Sequence, residues 1–451
     1  MTRPVDFTTL SGAFCGRLET TVGAALNRRS SQGIMEHKTR APSRAPFAAF
    51  KHRDFTFFQI MRFTATVGQQ MQSVAIGWQV YAITGRAIDL GYVGLVQFLP
   101  ALLLALVTGH TADIFDRRRI LVAQNCVLVL CAAALYYLSA SDFLSTHGVL
   151  PIYAVLLVLG TARAFAGPAG SALLPSLVPK EHFSNAVAWS STTWQVATIV
   201  GPALGGLVFG LENGAATVYA SFGGLMVAAL ICNLMMRSHP FTPDGNGADS
   251  RWQRLLAGVH YVRKNQILLG AISLDLFAVL LGGAVALLPV YAKDILHVGP
   301  VGLGILRSAP SIGASAMAVY LAFRPLERRA GKSMLVGVFV FGLATCVFGV
   351  STNFYLSLTM LILIGAADLI SVYVRHTLVQ LRTPEAMRGR VSAVNQVFIG
   401  ASNELGEFES GITANWWGTV PATIVGGIGT MMVVLMWSWF FPKLRDADDL
   451  K

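Results

Sequence analysis

The sequence predicts an all-α membrane protein of twelve transmembrane helices, arranged as two pseudo-symmetric six-helix bundles. Three observations predict it. The 451 residues are 54% hydrophobic and only 13% charged, where a soluble chain carries ~25% charged residues. Apolar stretches near the ~20 residues that cross a bilayer recur along the whole length. An acid-then-basic turn also appears once in each half. DIFDRRR follows the second apolar stretch, and PLERRAGK, Pro325 to Lys332, follows the eighth. With a long polar connector at the midpoint, this weak repeat implies two bundles with a site between them.

Residues 1–50 are polar, basic and rich in Ser, Thr and Arg, without a continuous apolar run. They predict a disordered cytosolic leader rather than a signal peptide. A second basic stretch, HKTRAPSRAP, follows Met35, so Met1 and Met35 stand as alternative starts. The first bundle covers 51–236, with spans at about 56–83, 90–112, 120–140, 149–173, 185–210 and 214–236. The connector, 237–266, begins as a loop. It continues as RWQRLLAGVHYVRK, where Trp252, Leu255, Leu256, Val259 and Val262 fall at helical spacing. That pattern predicts an amphipathic helix along the cytosolic face. The second bundle covers 267–441, with spans at about 267–291, 301–323, 333–352, 355–381, 390–412 and 419–441. A cytosolic tail, 442–451, closes the chain.

The charges give an orientation. GHTADIFDRRRIL, Gly109 to Leu121, is too densely charged to lie in hydrocarbon and must be a turn at a membrane face. Its arginines make that face cytosolic, and twelve spans then put both termini there. Arg86 and Lys293 are the basic residues that fall on the outer side. The net charge of +11 follows from short inner loops and the leader, so it does not call for nucleic acid. Cys126, Cys131, Cys232 and Cys346 lie in apolar spans, where a thiol behaves as a small hydrophobe. No Cys or His cluster predicts a metal, and no cofactor signature is present. The absence of a nucleophile–base pair or Walker loop argues against an enzyme.

The Gly109–Leu121 loop resembles the signature of the major facilitator superfamily. Gly109, Asp113, Arg117, Arg118 and Leu121 match it, Ile114 departs from the usual basic residue, and Asp116 replaces a glycine. The resemblance implies a cytosolic gate, in which Asp113 pairs with Arg388 or Arg390 at the start of span 11. Span 4 carries Leu159, Arg163 and Gly167, resembling a second motif of the superfamily. It implies a proton-linked role for Arg163, against the alternative of snorkelling to the inner interface. Span 5 carries Gly201, Pro202, Gly205 and Gly206, similar to the antiporter motif, with Ala188 and Ala197 in place of two glycines. Small residues there let helices approach and the proline bends the span. Within the superfamily the pattern resembles the twelve-span drug:proton antiporters that include enterobactin exporters and macrolide efflux proteins. The resemblance covers roughly residues 50 to 440.

Ionisable and amide residues inside the spans are functional candidates by default. Glu404 and Glu407 are three apart and share a helix face. Two carboxylates that close share a proton readily, as a proton carrier requires. The alternative is an outer vestibule with solvated acids, where Glu409 belongs. Asp368 and Arg375 are seven apart on span 10, and Asp275 lies in span 7. The alternative for these is a buried structural pair. Arg62, Gln69, Gln70 and Gln72 lie along span 1, and Trp78, Trp189 and Trp194 either line a pocket or fill packing space.

The expected protein is a secondary active transporter in a bacterial inner membrane. It exports a small amphipathic molecule, siderophore or drug-like, against protons. Proton-coupled uptake is the alternative within transport. A non-transporting sensor or scaffold is the alternative from another class, and charges inside the spans argue against it.

Overall fold

A computed structural model describes residues 46–141, 143–212, 214–237, 249–326 and 328–447. Most of the leader and Glu327 of the second acid-then-basic turn lie outside the described residues. So do the side chains of Asp113, Trp252 and Leu255.

The first six long helices are α1 (Arg53–Thr84), α2 (Ala87–Ile114), α3 (Arg117–Ala140), α4 (Leu150–Leu173), α5 (Phe183–Glu212) and α6 (Ala215–Met235). A connector helix, Asp249–Lys264, follows. The second six are α7 (Gln266–Leu281), α8 (Gly299–Phe323), α9 (Ala330–Val350), α10 (Phe354–Arg382), α11 (Glu385–Trp417) and α12 (Thr419–Phe440). Local chemistry sets their ends. Asp116 caps α3 by accepting from Arg118 N at 2.9 Å. Asn353 caps α10 by accepting from Tyr355 N at 2.9 Å, and Asn265 caps α7 from Ile267 N at 3.1 Å. Gly85 ends α1 at φ 63°, a left-handed cap that glycine takes without strain.

Among the described residues, nine helical stretches are long and apolar enough to cross a membrane. The long helices outside that set are α1, α8 and α11. These carry Arg62, Arg307, and Glu404 with Glu407, respectively. Leu103, Leu130, Leu211, Val336 and Leu435 stand exposed, an apolar surface suited to lipid rather than water.

In the first half α1 packs on α5 and α6, α3 on α4 and α6, and α2 on α4. In the second half α8 packs on α10, α9 on α10 and α12, and α7 on α11 and α12. The halves meet where α5 packs on α8 and where α2 packs on α11. Exchanging the halves turns one of these pairs into the other, the signature of a pseudo-twofold repeat.

Span 7 is not the continuous helix that its apolar run predicts. α7 ends at Leu281; Gly282 and Gly283 interrupt it, and short turns carry the chain on to a π-helical segment, Tyr291–Ile295. At the break α11 comes close: a Cβ on Gly283 would stand 2.6 Å from Gly406 O. α11 itself runs further than the apolar run, from Glu385 to Trp417. The connector helix does not only face outward. Val262 is buried in a cluster with Leu268, Val379, Val391 and Val394, while Leu256 is exposed. A Cβ on Gly258 would meet Arg390 O at 2.8 Å.

Candidate functional site

Two ends of the molecule are distinct. At the end bearing the α2–α3 turn, the arginines hold helix termini of the first half. Arg117 Nη1 donates to Ala172 O at 3.2 Å on α4. Arg118 Nε and Nη2 donate to Asn233 O at 3.1 Å and Leu234 O at 2.7 Å on α6. Cations suit these carbonyl-rich C-terminal turns. Arg119 lies 3.8 Å from Asp116. Arg388 lies 3.7 Å from Glu385, and Arg390 donates to Met387 Sδ at 3.4 Å. With the Asp113 side chain outside the described residues, the expected Asp113 contact with Arg388 or Arg390 stays a proposal.

At the far end the halves close on one another through glycines. A Cβ on Gly411 of α11 would stand 2.8 Å from Gly91 Cα of α2. A Cβ on Gly206 of α5 would stand 2.8 Å from Gly304 Cα of α8. Gly201 and Gly205 face the other way, against Gln70 Cβ and Met71 Cα of α1. The span-5 motif thus packs α5 against both neighbours, with Pro202 inside the helix and its carbonyl at Gly304. Tyr81 donates to Asp294, and Lys293 Nζ stands 5.3 Å from the Tyr81 ring centroid.

Between the two ends lies a cavity of about 860 Å³, within the ~300–1,000 Å³ of small-molecule sites. α1 contributes Phe58, Met61, Arg62, Thr66 and Gln69 to its wall, and α3 contributes Gln124 and Asn125. α5 adds Ser190, Ser191, Trp194 and Gln195, α4 adds Gly167 and Ser171, and α10 adds Val372 and His376. Gly167 of the span-4 motif therefore borders the cavity, whereas Leu159 is buried in the core. Trp194 is the tryptophan of the three candidates that reaches this wall. Trp78 packs edge-on to Phe209 and Trp189 edge-on to Phe50. Gln70 packs against Gly201, and Gln72 is buried.

A charged cluster adjoins the cavity. Arg163 does not snorkel: its Nε donates to Gln69 Oε1 at 2.8 Å and its Nη1 to Gln97 Oε1 at 3.0 Å. Glu404 interacts electrostatically with Glu407, Arg163 and Arg307. Both carboxylates turn toward α2, where a Cβ on Gly94 would meet Glu407 Oε2 at 2.9 Å and Glu404 Oε2 at 3.6 Å. Arg307 of α8 donates to Ser73 Oγ at 2.8 Å. The cluster joins α1, α2, α4, α8 and α11, so both halves contribute charge. Glu404 and Glu407 are half-buried here, not acids of an open vestibule, because α11 extends beyond them to Trp417. Arg307 and Gln97 escape the sequence reading. The signal for Arg307 was available, a lone arginine in an apolar run; Gln97 carried none.

The remaining intramembrane charges form a separate group. Arg375 pairs with Asp275 of α7, both buried, rather than with Asp368. Ser371 Oγ donates to Asp275 Oδ1 at 3.2 Å. Asp368 and Asp275 share the wall of a void of about 10 Å³, the volume of ~one water.

Comparison with known proteins agrees with this architecture. The chain is 26% identical over 398 residues to the multidrug efflux pump Tap of Mycolicibacterium fortuitum, covering 85% of this chain and 95% of the relative. It is 25% identical over 382 residues to the enterobactin exporter EntS of Citrobacter koseri, covering 84% and 86%. The fold is similar to that of a POT family transporter solved in complex with 5-aminolevulinic acid. The TM-score is 0.67 at 10% identity, covering 87% of this chain and 96% of that one. A family model described as transmembrane secretion effector matches residues 44–451. With a helical fold of major facilitator type, a lipid-suited surface and this match, the chain belongs to the MFS_3 family of transmembrane secretion effectors, multi-pass membrane transporters rather than enzymes.

Proposed function

We propose that the chain exports a small amphipathic molecule by alternating access, driven by protons moving inward. Twelve spans carry the chain across the membrane, and the arginine-rich end, with both termini, faces the cytosol. The halves join at the far end and the cavity lies toward the arginine-rich end, so this conformation receives substrate from the cytosol. The observation that carries the reading is Arg163, bonded to the cavity residue Gln69 on one side and facing Glu404 on the other.

The cycle follows from that placement. A proton carried in from the outside rests on a carboxylate of the Glu404–Glu407 pair. Substrate entering the cavity engages Gln69, and Arg163 shifts toward the acids. A cation beside a carboxylic acid favours its ionised form, so the proton leaves to the cytosol. The glycine crossings at the far end then part, the cytosolic end closes, and substrate leaves outward. The arginines of Gly109–Leu121, with Arg388 and Arg390, hold that second state. Asp368, Asp275 and Arg375 form a supporting buried network in the second bundle.

The test is transport in proteoliposomes of known orientation. An imposed pH gradient is expected to drive uphill substrate movement opposite to proton flow, and Glu404→Gln is expected to abolish the response. Movement in the same direction as protons would establish uptake instead.

A further inference from the structure

We infer that the transported molecule is an amphipathic organic anion, bound by Arg62 and His376 across the cavity. This rests on the transport reading and adds to it the charge of the substrate. Among the described residues, the titratable side chains lining the cavity are Arg62 and His376, with no carboxylate. Glu404 and Glu407 lie on α11, beyond Arg163, and belong to the proposed proton site.

Arg62 is built to receive an acceptor. Its guanidinium lies 5.7 Å from the Phe58 ring centroid. Stacking on a ring leaves the N–H edge of a guanidinium free, and among the described residues that edge has no acid or hydrogen-bond partner. Asn125 of α3 lines the same cavity and is 2% exposed. His376, on α10, offers a further ring N–H from the opposite bundle. Phe58, Met61 and Trp194 supply apolar surface beside these donors.

The chemistry selects by charge in both directions. A carboxylate, sulfonate or phenolate accepts from Arg62 and His376 and is attracted by the guanidinium. An ammonium of the same shape meets an unpaired cation in a partly dehydrated site and is repelled. An apolar or aromatic body remains necessary, since most of the wall is not charged.

The experiment uses the full chain in proteoliposomes with two probes of one ring system, 1-naphthalenesulfonate and 1-naphthylmethylammonium. An imposed pH gradient is expected to drive accumulation of the sulfonate and not of the ammonium. Arg62→Gln is expected to weaken sulfonate transport at least tenfold through the apparent affinity, the size of a lost charge-assisted contact. Arg62→Lys, which keeps the charge, is expected to retain most of it, separating charge loss from misfolding. Gradient-driven transport of the ammonium alone would overturn the anion assignment while leaving the exporter reading intact. Sulfonate movement indifferent to the gradient would uphold the anion assignment and overturn proton coupling. Movement of neither probe would overturn the anion assignment.

Discussion

Gln69 accepts a 2.8 Å hydrogen bond from Arg163 Nε and, on the same side chain, forms part of the cavity wall. One amide thus touches both the space proposed for substrate and the arginine that faces Glu404. Gln69→Leu keeps the volume and removes the contact. Substrate binding is expected to change by less than about threefold, while uphill transport falls at least tenfold, about 1.4 kcal/mol or more of coupling. Equilibrium binding and gradient-driven flux on the same preparation check this; equal losses in both would make Gln69 a simple binding residue.

Neutralising the acids should separate exchange from pumping. In Glu404→Gln the proposed proton site is fixed in an uncharged form, so a pH gradient is expected to have nothing to act on. Substrate counterflow between two equal pools is expected to persist, and concentrative transport to stop. Glu407→Gln is expected to give a milder version of the same split. Loss of counterflow as well in both variants would place the acids in substrate binding or folding.

Asp275 and Arg375 predict a stability effect instead. Removing one partner of a buried ion pair leaves an uncompensated charge and costs ~3–5 kcal/mol. Asp275→Ala is expected to lower the thermal unfolding midpoint in detergent by several degrees. Asp275→Leu with Arg375→Met is expected to recover most of it. A midpoint unchanged in the single variant would show that Asp368 takes over the arginine.

The glycine crossings can be propped open. A Cβ on Gly411 would stand 2.8 Å from Gly91 Cα, a backbone contact that no side-chain rotation relieves. Gly411→Val is therefore expected to hold α2 and α11 apart and to lower gradient-driven transport at least tenfold, with the amount of folded protein in detergent retained. Full activity of Gly411→Val would mean that transport does not need the far end to close as it does here.

What the sequence revealed and what it hid divide along one physical line. Arg163 is visible because an arginine in an apolar run must find a partner. Arg307 meets the same criterion and was open to the same reasoning. The choice of partner was not legible: Arg375 sits on the same face as Asp368, yet it turns to Asp275 on another helix. Helix adjacency decides that, and one chain without contacts does not encode it visibly. Gly201, Gly205 and Gly206 announce close packing, but nothing local says that Gly304 receives Gly206. The interruption of span 7 was closer to the surface, since the pair Gly282–Gly283 and then Pro289 stand inside an apolar run. Nine apolar helices among the described residues were readable because spanning helices satisfy their own backbone and need only length and apolarity. The polar helices α1, α8 and α11 show the limit of that rule, for they spend polarity on one another and not on lipid.

The cavity wall is unequal. Most of its residues belong to the first half, and Val372 and His376 represent the second. The carboxylates of the adjoining charged cluster, Glu404 and Glu407, by contrast, stand on α11. On the proposed reading, recognition and drive are heritable separately wherever the wall does not touch Arg163: a change on α3 or α5 is expected to retune which molecules are expelled without disturbing Glu404 and Glu407 on α11. A lineage, or an engineer, can broaden the cargo of such a pump one cavity residue at a time.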